Sequence, residues 1–83
     1  MIVRMWEVRG YPQRLPELVA WVCETALPQV EVDPRHLESE VFSATDRVVV
    51  ISRWRGEPVR LPDPPPELVA RDPHSWDFAP VDR

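Results

Sequence analysis

The chain has 83 residues, a formal net charge of -4 and a single cysteine. This length holds one domain with a modest core, because a domain of this size buries only about 60–65% of its unfolded surface. An acidic balance argues against a nucleic-acid partner, whose phosphates need a basic surface, and the lone Cys23 excludes an internal disulfide framework and fits a reducing cytoplasm.

The opening residues Met1-Ile2-Val3-Arg4-Met5-Trp6-Glu7 have neither the apolar core nor the cleavage site of a signal peptide. No stretch approaches membrane-spanning length, so no membrane partner is expected. Ile2 to Arg9 reads as a first strand, with Ile2, Arg4, Trp6 and Val8 on one face and Val3, Met5, Glu7 and Arg9 on the other. Gly10-Tyr11-Pro12 breaks it. Leu15, Leu18, Val19, Val22, Cys23 and Ala26 then recur at three- and four-residue spacing, which predicts a helix from about Gln13 to Leu27 with one apolar stripe. Pro16 suits the first turn, and Pro28 is expected to kink or end the helix, with a further turn through Val30 as the alternative. Cys23 on that stripe reads as a buried thiol.

Asp33-Pro34-Arg35 is a turn, and Leu37 to Ser43 a second strand. Ala44-Thr45-Asp46-Arg47 is a short hairpin connection into Val48 to Arg55, an almost unbroken β-branched run ending in Trp54 between two arginines. A strand apolar on both faces must be covered on both, which predicts a central position and a partner on one side. From Glu57 to Pro66 the prolines impose an extended connection. Glu67 to Arg71 predicts a helix of one or two turns, closed by Pro73. His74 to Val81 reads as a last strand, placed at an edge by Pro80.

The order strand, helix, strand, strand, short helix, strand predicts an α+β fold of ferredoxin-like βαββ(α)β type, a single domain over residues 1–83. The first and third strands are expected at the centre of an antiparallel sheet. Helices on one face leave an apolar face open, and a second copy packed sheet on sheet would cover it.

Three segments carry a family resemblance. Ile2-Val3-Arg4-Met5-Trp6 at the start, Thr25-Ala26-Leu27-Pro28 at the end of the helix and Val48-Val49-Val50-Ile51-Ser52-Arg53-Trp54 in the third strand resemble the antibiotic-biosynthesis-monooxygenase-like family. The resemblance covers residues 1 to 56 and loosely the final strand. It implies a dimeric α+β barrel, a homodimer with a cavity in each subunit between sheet and helices, and no cofactor. Members include cofactor-independent oxygenases of aromatic polyketides, quinol oxygenases and haem-degrading enzymes. Trp54 falls where the family often has a tryptophan walling the cavity. The haem-degrading branch has an asparagine near the position of Trp6, and this chain contains none. Glu57–Pro73 stands in place of the family's full second helix, a truncation that bears directly on whether the cavity closes.

Trp6, Trp54 and Trp76 with Arg4 and Arg53 form the candidate pocket for a planar, acidic small molecule, since tryptophan stacks and arginine pairs with a carboxylate or enolate. His74 joins them as a ligand-binding candidate, and His74, Asp77 or Glu7 would serve as base in a cofactor-free oxygenation. The plainer reading makes the tryptophans core and interface residues and pairs the arginines with Glu38, Glu40 and Asp77. Trp21 lies off the apolar stripe and is expected to be covered by the proline-rich segment or a partner. His36 and His74 lack metal-ligand spacing, so no metal is expected. Two functions follow: binding or oxidising a planar aromatic molecule without a cofactor, or a non-catalytic ligand-binding or accessory dimerisation module.

Overall fold

A computed structural model describes all residues from Met1 to Arg83. It is an α+β fold in which one helical run packs on a four-stranded antiparallel sheet. The strands are β1 (Ile2–Gly10), β2 (His36–Ala44), β3 (Arg47–Trp54) and β4 (Val69–Phe78), in the order β2-β3-β1-β4. β1 and β3 are central, as the continuous apolar character of β3 predicts. Trp6 lies opposite Val50 and Val8 opposite Val48, so the alternation of both strands sends the same residues to one face.

That inner face packs against the helical run. A 3-10 turn at Pro12–Arg14 leads into α1 (Leu15–Trp21), a π-helical turn at Val22–Ala26, and α2 (Leu27–Glu31). The core joins Trp6, Val8, Val48, Val50 and Trp54 of the sheet to Leu18, Val22, Ala26, Leu27 and Val30 of the helix. Gly10 permits the closest approach: a Cβ there would stand 2.7 Å from Leu18 Cδ2 and 3.2 Å from the Leu68 carbonyl oxygen.

Pro28 does not end the helix, which runs on through Glu31. The reason is the π turn just before it, where the Leu27 N–H donates to the Val22 carbonyl. A proline has no N–H and its ring crowds the preceding turn, and a widened turn relieves that clash without breaking the helix. The same widening alters the helical phase. Val22 and Ala26 stay inside, but Cys23 turns out and is exposed, contrary to the buried position that regular periodicity predicts.

The predicted helix at Glu67–Arg71 is replaced by a 3-10 turn at Pro66–Leu68. From Val69 the chain is already strand, because β1 is long enough to pair with it from Gly10 onward. β4 therefore begins and ends earlier than proline punctuation suggests, and Pro80 lies beyond it. The proline inside the strand is Pro73. It sits where the β1–β4 register shifts between Glu7 and Arg9, so Asp72 and Pro73 bulge at a sheet edge.

Gly56, with φ of 121°, turns the chain out of β3 into the proline-rich arm. Pro58, Leu61, Pro64 and Leu68 are buried and complete the core on this side. Arg14 fastens this arm to the helix by donating to the Glu67 carbonyl at 3.3 Å. Trp21 is half-buried against the core. No helix is long and apolar enough to cross a membrane.

The outer face of the sheet has no covering element. Phe42, Val49, Ile51, Met5, Val3, Trp76 and Phe78 share it, as the pairings Phe42–Val49, Ile51–Met5, Met5–Trp76 and Val3–Phe78 require. Phe42, Trp76 and Phe78 are each about half exposed, at 52%, 46% and 54%.

Candidate functional site

The arm does not lie flat on the sheet. Between them is a cavity of about 750 Å3, partly open to solvent. Its floor is the inner face of the sheet, with Trp6, Val50, Ser52, Trp54 and Ser39. Leu27 and Val30 of the helix form one wall, and Pro58, Val59, Leu61, Pro64 and Pro66 form the roof. The size suits a small-molecule ligand.

The strand register places a polar row on this floor, with Ser39, Ser52 and Arg4 lining the cavity and Asp77 continuing the row beyond it. Ser39 lies opposite Ser52, Ser52 opposite Arg4, and Arg4 opposite Asp77, so one row contributes a hydroxyl or charged group from each of the four strands. The neighbouring row, Val41, Val50, Trp6 and Ser75, is mostly apolar.

Each member of the polar row has a defined partner. Ser52 is buried, and its Oγ accepts the Trp54 indole N–H at 2.8 Å. Ser39 Oγ is 2.7 Å from His36 Nε2, with donor and acceptor set by the histidine tautomer. The His36 ring also stands edge-on to Trp54, with centroids 5.2 Å apart and planes at 83°. Arg4 holds Asp77 side-on, donating from Nε to Oδ1 at 2.7 Å and from Nη2 to Oδ2 at 2.9 Å. Those hydrogen bonds lower the Asp77 carboxyl below its ordinary range and raise the Arg4 guanidinium further, with nearby Glu57 adding to the latter.

The predicted ligand-binding residues separate onto two faces. Arg4, Trp6 and Trp54 come together at the cavity. Arg53 lies on the outer face, opposite Val3, and donates to Glu40 at 2.9 Å. Trp76 is there too, opposite Met5, with the His74 ring beside it at 6.1 Å between centroids. His74 borders the cavity, yet its register partner Glu7 belongs to the outer face. Glu7 itself accepts from Arg47 at 3.0 Å.

The two serines are the site residues that sequence reading missed. Their signal is present, because Ser52 occupies an inward position of β3 by the alternation that turns Val48, Val50 and Trp54 inward. A hydroxyl there needs a partner in the core or a ligand. Among the described residues no group of three or more His, Cys, Asp or Glu side chains has metal-ligating geometry.

No family model, curated protein or solved structure matches the chain.

Proposed function

We propose that this protein is a ligand-binding module whose site is the cavity between the sheet and the proline-rich arm. The cavity carries this reading: about 750 Å3 of space against Trp54 and Trp6, with a polar row on its floor. Its floor, with Trp6 and Trp54, suits a planar aromatic molecule, and its prolines shape it without the entropy cost of ordering a flexible loop.

Binding is favoured over oxidation by the placement of the candidate bases. The Glu7 carboxylate is engaged by Arg47 on the outer face, and the His74 ring, at the border of the cavity, stands beside Trp76 of that outer face. Asp77 is held ionised by two hydrogen bonds from Arg4, which makes it a weak base. Soaking crystals with planar phenols and quinones tests the reading. An ordered ligand between Trp54 and the arm supports it, and turnover of that ligand in oxygen would favour the oxygenase alternative.

The outer face supports a second part of the reading, a homodimer packed sheet to sheet. Seven contiguous apolar side chains, three of them half exposed aromatics, make an area that water covers poorly. Glu7 with Arg47 and Glu38 and Glu40 with Arg53 flank it as paired charges, so the centre can dehydrate without stranding them. In this assembly the fold is a ferredoxin-like sheet in a dimeric α+β barrel, as in the antibiotic-biosynthesis-monooxygenase-like family, with the arm replacing the second helix. A reducing cytoplasm suits a chain whose one thiol, Cys23, lies on the surface.

A further inference from the structure

The cavity floor has a directional preference for ligand chemistry. Ser52 Oγ accepts the Trp54 indole N–H, so the hydroxyl hydrogen of Ser52 remains to be donated. Arg4 lies opposite Ser52 on the next strand. Asp77 occupies its Nε and Nη2, and Nη1 takes no part in that pair. The floor thus presents two neighbouring donors on side chains held in place by their other bonds.

Charge decides what acceptor belongs there. Arg4 is balanced by Asp77, and Arg60 at the roof is balanced by Asp63 at 2.9 Å. Glu57 and Asp72 also line the cavity, are exposed, and form no ion pair. An anion entering would meet an excess of carboxylate. A cation would be welcome at the exposed rim but would face the donors of the floor.

Accepting the cavity as a ligand site, the geometry points to an uncharged planar molecule that carries a carbonyl oxygen, such as an aromatic amide or lactam. Its oxygen is received by Ser52 and Arg4, and its ring lies against Trp6 and Trp54. A ligand lacking the oxygen leaves the floor donors unpaired, and that loss sets the specificity.

Three probes of nearly one shape separate the charge states: benzamide, benzoate and benzamidine, titrated into the isotope-labelled full chain and followed by NMR. Benzamide is expected to move the Ser52 amide and Trp54 indole resonances, with affinity roughly tenfold above either charged analogue. Ser52→Ala and Arg4→Leu are each expected to erase that preference, and if one variant fails to fold the other carries the test. Benzoate or benzamidine binding at these resonances as tightly as benzamide would overturn the ligand class while leaving the cavity as a binding site. An unchanged preference in the variants would overturn the role of the two donors. If none of the three probes moves these resonances, the ligand class and the cavity reading fall together.

Discussion

Trp54 donates its indole N–H to Ser52, two residues earlier on the same strand, at 2.8 Å, and both side chains are buried. Two inward neighbours on one strand are thereby joined on the cavity floor, the indole donor satisfied and the serine hydrogen left free. This bond keeps the largest fully buried side chain in a fixed orientation, and it also fixes which way the Ser52 hydroxyl is polarised.

Ser52→Ala removes the acceptor and leaves a buried indole N–H without a partner. The expected cost is about 1–3 kcal/mol. Urea unfolding followed by tryptophan fluorescence measures it, and a change within error of zero would mean the indole finds another acceptor.

Gly10→Ala forces a methyl group into contact at 2.7 Å from Leu18 Cδ2 and 3.2 Å from the Leu68 carbonyl oxygen. The leucine tip can shift, but the backbone oxygen yields less readily. Overpacking of this kind costs about 1–3 kcal/mol, visible as a lower melting temperature. An unchanged melting temperature would show that helix and sheet are more loosely apposed at Gly10.

Much of this architecture is legible in the sequence, for a physical reason. Alternation in Val48–Trp54 and Ile2–Arg9 assigns the faces of both central strands, because burying one face penalises any slip of register. The helix end and the last strand are harder to read, since both depend on how proline is accommodated. Pro28 is absorbed by a π turn and Pro73 by a bulge, devices that depend on tertiary packing and on a sheet partner. The division of the tryptophans is only half legible. Alternation orients Trp6 and Trp54, but the face of Trp76 depends on the shifted β1–β4 register.

Cys23 reports on the π turn directly. Because the widened turn faces it to solvent, it should react stoichiometrically with a thiol reagent in the native protein. Reaction only after denaturation would place Cys23 on the buried stripe of a regular helix.

Asp33 accepts hydrogen bonds from the Arg35 side chain and backbone N–H, which lower its pKa to about 2. A carboxyl depressed in the folded state supports stability fully above its unfolded pKa and loses that support as pH falls through its folded pKa. For Asp33 the loss spans roughly pH 4 to 2. Asp77, depressed by Arg4, acts in the same sense. NMR titration should give a midpoint near 2 for Asp33, and a midpoint near 4 would mean the turn is not held by Arg35. Asp77→Asn should flatten the fall in stability on the acid side.

Trp76→Glu places a charge on the apolar outer face, opposite Met5 of the central strand β1. If two copies pack there, the variant should sediment as a monomer and keep its fold. A Trp76→Glu protein that remains dimeric would locate the interface elsewhere.

The four indole N–H signals make one titration the most direct test of the cavity as a ligand site. Trp6 and Trp54 stand on its floor, whereas Trp76 lies on the opposite face of the sheet and Trp21 on the helix. With planar aromatic amides and phenols added, the expected result is movement of the Trp6 and Trp54 signals with Trp21 and Trp76 still. Movement of Trp76 alone, or of none of the four, would contradict a binding site between the sheet and the proline-rich arm.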